Sequence, residues 1–242
     1  MMRGLSLSRR GKIGLVAFAL IVALAFFPLR LALDLTGVEA SGASARQVRG
    51  TIWWGRIGDL NLGPVSLGDV GAAVSPVQLL VGRVRLDLWR DGAAEREALR
   101  GAWTSGFNQR GIDDVTGAVP MGGAFAPLPL SVLEFDDVTI HFAGDTCAQA
   151  EGGVRARLDG SYAGLNLSQG LSGTAVCDGE TVLVPLVSQT GMEKLSLRLR
   201  PDGRFSAQIS VRGGRDADAA AMAVAGLRKQ GSDYVLTVEG QM

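Results

Sequence analysis

From residue 46 onward, apolar and polar residues alternate with period two in one short segment after another. Leu60 and Leu62, Val65 and Leu67, Val84 with Leu86 and Leu88, Val138 with Ile140 and Phe142, Leu195 with Leu197 and Leu199, and the run from Val235 all follow it. Period two puts one side chain of each pair on a core face and the next on a wet face, so these segments predict half-buried strands. Between Leu199 and Phe205, the run Arg200-Pro201-Asp202-Gly203-Arg204 offers a proline for the first turn position and a glycine where positive φ is wanted. The flanking strands should therefore pair as a hairpin. The alanine-rich segment Asp216 to Gln230 reads instead as a short helix, with Asp216 as its cap, Arg228 and Lys229 in its last turn and Gly231 after it. A weaker helical signal covers Pro76 to Leu80. From Ala93 to Gly123 the pattern fades among glycines and Asp113-Asp114, which predicts long loops interrupting irregular strands, either an insertion between sheet edges or a binding loop. Pro127-Leu128-Pro129-Leu130 reads as an extended entry to a strand over Val132 to Phe135. The expected fold is mainly β, an antiparallel sheet that is curved or open-barrel-like, with one short C-terminal helix.

Ahead of the alternating region lies a continuous apolar segment, Ile13 to Leu29, entered through Arg3, Arg9, Arg10 and Lys12 and interrupted only by Pro28. Its roughly seventeen residues are at the short end of a membrane span. The basic bias keeps the N-terminus in the cytoplasm and sends the rest across. The layout expected is a cytoplasmic 1–12, a transmembrane anchor 13–29, a linker 30–45 and a β-rich domain 46–242. A cleaved signal peptide is the rival reading, but its nearest small-x-small site, Val38-Glu39-Ala40, lies about ten residues past the apolar run, farther than cleavage usually tolerates. Both readings export the body of the protein.

Composition narrows the partners. The 24 basic and 24 acidic residues cancel, which removes the electrostatic footprint of a nucleic-acid binder and leaves no broad basic face for anionic lipid. The 34 glycines are about twice ordinary usage, but they are spread between apolar alternations and so read as turns. The two cysteines, Cys147 and Cys177, lie in the exported part, where a disulfide is the preferred reading and a pair of buried free thiols the alternative. Two cysteines and one histidine lack the spacing of a metal site.

Catalytic constellations are missing. His141, the sole histidine, alternates with Ile140 and Phe142 and so joins Thr139 on the polar face, where a solvated residue is the plainer reading than a catalytic base. Asp113-Asp114 and Asp136-Asp137 are adjacent in sequence, so on a strand they would point apart and make poor acid–base dyads; turn residues are the better reading. No nucleophile elbow and no phosphate-binding glycine loop is present, so neither an enzymatic activity nor a cofactor is expected.

The block Val48-Arg49-Gly50-Thr51-Ile52-Trp53-Trp54-Gly55-Arg56 leads into Leu62-Gly63-Pro64-Val65 and Leu67-Gly68-Asp69-Val70. Later come Leu79-Leu80-Val81-Gly82-Arg83, the two cysteines, Leu171-Ser172-Gly173 and Pro201-Asp202-Gly203-Arg204. In that order the elements resemble the protein N family of the bacterial type II secretion system, also called general secretion pathway protein N. The resemblance implies a single-pass inner-membrane protein with its C-terminal domain in the periplasm. It also implies an accessory role in moving folded proteins across the outer membrane, contacts with other secretion subunits, and no catalytic residues. On an aromatic opening strand, one indole of Trp53-Trp54 would enter the core while the other, with Arg56, would make a partner contact; a loose turn or double burial is the alternative. A second likeness is to the AsmA-related proteins, periplasmic lipid handlers whose curved sheets offer an apolar groove; an open sheet here could hold lipid or a partner's strand.

Overall fold

The computed structural model describes residues 8–36, 42–92, 98–158, 161–162, 165–166, 170–212 and 219–241. Helix α1 (Arg9–Ala25) begins where the Ser8 hydroxyl accepts the Gly11 N–H at 3.2 Å. It ends ahead of Pro28, which lacks an N–H and disfavours helix in the residue before it. Pro28 bridges to Thr51, and the chain turns into α2 (Leu29–Thr36). Among the described residues no helix is long and apolar enough to cross a membrane. The anchor expected over 13–29 is therefore not one continuous helix. The apolar run is divided at Phe26 to Pro28, and its last residue, Leu29, is drawn into the protein core at 1% exposure.

The remainder is a long antiparallel meander. In chain order it comprises β1 (Ala43–Ser44), β2 (Gln47–Thr51), β3 (Trp54–Leu62), β4 (Val65–Val74), the short helix α3 (Pro76–Leu80), β5 (Val84–Arg90) and β6 (Leu99–Ser105). There follow β7 (Gln109–Pro120), β8 (Leu130–Ala143), β9 (Thr146–Leu158), β10 (Ser161–Tyr162), β11 (Leu165–Asn166), β12 (Leu171–Thr174), β13 (Val176–Asp178) and β14 (Thr181–Val187). Last come β15 (Glu193–Leu199), β16 (Arg204–Arg212), helix α4 (Ala219–Val224), β17 (Arg228–Gln230) and β18 (Asp233–Gln241). All but β10 and β11, which pair with each other, belong to one sixteen-stranded sheet. Its order is β1-β3-β4-β5-β6-β7-β8-β9-β12-β14-β15-β16-β18-β17, with β2 also on β3 and β13 also on β14. The two edges, β1 with β2 and β17, do not pair, so the sheet is open.

One face of the sheet is apolar along its whole length. Leu186, Leu195, Ile209 and Leu236 stand in register across β14, β15, β16 and β18, and Leu133 with Ala156 continues the face on β8 and β9. The sheet rolls this face inward, so that distant strands meet. The Arg90 guanidinium donates to the Leu67 and Ala118 carbonyls, both at 2.7 Å, joining β4 to β7. The loop after β7 drops Met121, Phe125 and Leu128 into the interior, where the Phe125 and Phe205 rings lie 4.9 Å apart. Met222 of α4 and Leu227 are buried in the same cluster. Each fully buried Leu or Ile contributes about 1.5–3 kcal/mol, so the rolled face is the main source of stability.

Three local readings change. Residues 99–105 and 109–120 are the strands β6 and β7, joined by a short turn in place of the long loops expected to interrupt irregular strands. Their period is hidden because Gly101 and Gly117 take inward positions and because the β6–β7 and β7–β8 ladders slip at bulges. Asp136-Asp137 likewise is a bulge inside β8 and not a turn. The expected helix 216–230 is only α4, since Gly226 at φ 83° ends it and Arg228 and Lys229 enter β17; Asp216 lies outside the described residues. The hairpin over Leu199 to Phe205 forms as expected, with Leu199 opposite Phe205, Gly203 at φ 82° and the Asp202 carboxylate accepting the Arg204 N–H at 3.0 Å. Helix α3 occupies the expected Pro76–Leu80.

Candidate protein-contact site

The block carrying Trp53 and Trp54 is a hairpin. β2 and β3 are joined through Ile52 and Trp53, with Thr51 opposite Trp54 and Arg49 opposite Arg56. Ile52 is the residue that turns inward, at 6% exposure, so neither indole enters the core. Trp53, half-buried in the turn, donates its Nε1–H to the Leu24 carbonyl at 3.0 Å and fastens the end of α1 to the sheet. Trp54 is 79% exposed on the outer face, the face opposite the core, and Arg56 shares it two residues on.

The register extends that face across the next strands. Arg56 is aligned with Gly71 on β4, Gly71 with Trp89 on β5, and Trp89 with Arg100 on β6. A Cβ at Gly71 would collide with the Trp89 indole, so the ring lies flat across the glycine toward Arg56. The result is a patch of Trp54, Trp89, Arg49, Arg56 and Arg100. Among the described residues no carboxylate pairs with Arg49, Arg56 or Arg100. Like charges directly opposite each other on neighbouring strands are destabilising, so the Arg49–Arg56 pairing is unfavourable in itself, and the Gln47 side-chain oxygen accepts from the Arg49 guanidinium. Sequence reading found Trp54 and Arg56; it missed Arg49, Trp89 and Arg100, which only the register brings alongside.

Next to the patch sits a polar network. Arg85 reaches Asp87 (2.9 Å), Asp113 (3.3 Å) and Asp114 (3.1 Å). Its guanidinium is held above its ordinary pKa, chiefly by the hydrogen bond to Asp87, with Asp114 and Asp113 adding to it. Asp113 and Asp114 do not point apart as a regular strand would require, because the bulge at Asp114 (φ 53°) turns both toward one cation. His141 faces the same side, with Nε2 2.5 Å from Asp113 Oδ1 and 3.4 Å from Thr104 Oγ1. The carboxylate and the hydroxyl compete for one ring nitrogen. A relay needs them on opposite nitrogens, so this is a structural contact and not a relay.

A sequence signal overlooked above explains the bulges. The tetrapeptide Asp-Asp-Val-Thr occurs at 113–116 and again at 136–139, and the two copies face each other with Val115 opposite Val138. The Asp114 N–H donates to Thr139 Oγ1 and the Asp137 N–H to Thr116 Oγ1, both at 3.1 Å, an approximately two-fold arrangement with Asp114 and Asp137 each at φ 53°. Beside it an open trough of about 400 Å³ runs over β7, β8, β9 and β12, its polar lining including Thr116, Glu134, Asp136, Arg155, Arg157 and Ser172, with Arg157 paired to Glu134.

Cys147 and Cys177 form a disulfide with Cα atoms 5.6 Å apart, joining the start of β9 to β13. The Cys147 N–H to Gly179 carbonyl bond at 3.3 Å holds the same pair of strands.

Comparison with known proteins follows the extent of this sheet. The family model described as Type II secretion system (T2SS), protein N, matches residues 41–237. A curated protein named Type II secretion system protein N, from Vibrio cholerae serotype O1, is 31% identical over 206 residues, covering 77% of this chain and 75% of the relative's length. No solved structure matches the chain.

Proposed function

The chain belongs to the type II secretion system protein N family, and from that membership we propose an accessory inner-membrane component that supports export of folded proteins by contacting other subunits of the system. The observation that carries the contact is the outer-face patch, where an exposed Trp54 stands beside two opposed arginines that have no acidic partner among the described residues. Tryptophan and arginine are the residues most enriched where binding energy concentrates. The partner surface it fits is acidic, with an aromatic or aliphatic seat for the indole, and Trp53 sets the patch against the end of α1.

The same reading puts α1 in the inner membrane and the sheet in the periplasm. The helix buries none of its side chains in the protein: Ile13, Phe18, Leu20 and Ile21 are all exposed, and Arg9, Arg10 and Lys12 gather at its N-terminal end. At about 1.5 Å per residue it is shorter than a hydrocarbon core of about 30 Å, a mismatch that local thinning accommodates. An oxidising compartment suits the disulfide. The chain works through contacts and not through chemistry. The lipid-groove alternative is disfavoured because the apolar face is filled by Met121, Phe125 and Leu128 and by the strands' own side chains.

The test is a mild-detergent purification of the tagged full-length protein, with mass spectrometry of co-purifying proteins and lipids. Secretion subunits should accompany the native chain and be lost, by on the order of thirtyfold in affinity, from Trp54→Ala and Arg56→Glu. Stoichiometric acyl lipid without any secretion subunit would overturn the reading.

A further inference from the structure

The ladder registers place a definite set of turns at the end of the sheet where α1 is fastened. Gly55 of β3 is aligned with Ala72 of β4, Val74 with Leu86 of β5, Val84 with Ser105 of β6, and Ser105 with Arg110 of β7. The β2–β3 turn, α3 and the β6–β7 turn therefore all project from one end. That end is tied to α1 through Trp53 Nε1 to Leu24 O, and to the residues just after it through the Pro28–Thr51 bridge with its Ile52 N to Phe27 O bond.

This end also carries an unusual concentration of exposed apolar side chains. Val77 and Val81 are each 67% exposed, Leu80 is 87% exposed and Phe107 wholly so. They form one patch: a Cβ at Gly82 would sit 3.0 Å from the Phe107 ring, so the tip of the β6–β7 turn stands over Gly82, two residues past α3. The charge at this end is divided. Exposed Arg83 adjoins the apolar patch, while the β8–β9 and β13–β14 turns farther round the sheet present Asp145 and Glu180 to solvent.

We propose that Val77, Leu80, Val81 and Phe107 rest in the interface of the phospholipid bilayer, so that the sheet stands on the membrane on its α3 and β6–β7 sector. The proposal rests on the reading that α1 lies in that membrane. Given it, the tether leaves no flexible spacer between Ala25 and the sheet: the helix ends, two residues later Phe27 is hydrogen-bonded to Ile52, and Leu29 is in the core. The turns beside that junction are held at the headgroup level. There apolar and aromatic side chains gain by partial burial and a cation is attracted by anionic lipid, whereas the acidic turns favour the water side. Contact through one sector fixes the tilt of the sheet and leaves the outer-face patch of Trp54 and Arg56 directed sideways, parallel to the membrane, toward neighbouring subunits.

The experiment is site-specific photo-crosslinking of the full-length chain in cells that carry the secretion system. Benzoylphenylalanine replaces Leu20 in α1, Leu80, Phe107, or Val224, which is 91% exposed at the far end of the sheet. All four side chains are exposed, so the replacements leave the core intact. Lipid adducts at 80 and 107, several-fold above those at 224, are expected alongside adducts at 20. Adducts at 20 with none at 80 or 107 would overturn the interface proposal and leave the anchor standing. Protein adducts in place of lipid at 80 and 107 would overturn it in favour of a subunit contact. No lipid adduct at 20 would remove the anchor reading, whatever positions 80 and 107 report.

Discussion

The link between α2 and the sheet depends on a single missing methyl group. Gly55 lies under Leu29: a Cβ there would drive into Leu29 Cδ2 while also standing 3.2 Å from the Thr51 carbonyl oxygen and 3.3 Å from that of Arg49. Gly55→Ala should therefore overpack the junction at a cost of about 1–3 kcal/mol. Restricting the unfolded chain offsets about 0.4–1 kcal/mol of that, leaving a net loss of about 1–2 kcal/mol. Leu29→Ala alone removes a side chain that is 1% exposed and should cost about 2–5 kcal/mol by loss of transfer energy and cavity formation. The double variant separates the causes. With the leucine truncated, the alanine at 55 keeps only the two carbonyl contacts, which small shifts relieve, so the pair should be nearly as stable as Leu29→Ala by itself, a coupling of about 1–2 kcal/mol. Urea unfolding of the full chain in micelles, followed by tryptophan fluorescence, reads all four corners of the cycle. Additivity within about 0.5 kcal/mol would refute the reasoning, because it would mean that Leu29 and Gly55 do not share the contact.

Other perturbations probe the rest of the sheet. Cys147→Ser or Cys177→Ser opens a loop of 30 residues and should lower stability by about 3–4 kcal/mol in oxidising buffer and by nothing further under reduction, read as a shift in Tm. Thr139→Val should strip hydrogen-exchange protection from the Asp114 amide and leave Asp137 protected, with Thr116→Val giving the reciprocal loss, each at about 0.5–1.5 kcal/mol. Arg85→Gln leaves Asp87, Asp113 and Asp114 facing one another and should cost about 1 kcal/mol, shrinking as salt is added. The Arg85 pKa is raised on folding, so its contribution is fully present below the ordinary arginine range and is lost only as pH rises through the folded value. A Tm scan across neutral pH should accordingly show no step that disappears in Arg85→Gln.

What could be read from the sequence was whatever one strand decides alone. Leu195, Leu197 and Leu199 alternate because one face is buried, and the Pro201-Asp202-Gly203 turn is specified by three adjacent residues. The strands within 99–120 read only as irregular because glycines replace inward side chains that period two would reveal. The β2–β3 turn escaped because Ile52 and Trp53 carry no turn chemistry, and the hairpin is held by its packing and by the hydrogen bond to Leu24. The C-terminal helix was drawn too long because nothing in a local window distinguishes a glycine tolerated inside a helix from Gly226, which ends one at positive φ. The patch of Arg49, Arg56, Trp89 and Arg100 is a property of four strands in register, and register is fixed by the whole ladder.

The repeated Asp-Asp-Val-Thr motif links local sequence to global shape. A bulge bends its strand and increases the local twist. Here two bulges are set opposite each other on the neighbouring strands β7 and β8, each stabilised by a threonine of the other, so the bend is imposed on both strands at one place. A third bulge, at Asp59 (φ 50°) on β3, donates its N–H to the Asp69 carboxylate at 2.9 Å and acts near the edge formed by β1 and β2. Strands bent at these points bring Phe125 onto Phe205 and Arg90 onto two distant carbonyls without the edges having to pair. Curvature comes from the bulges and closure from the core, which leaves the outer face free of structural duty at Trp54, Arg49 and Arg56. Opposed arginines there are tolerable because stability is supplied elsewhere.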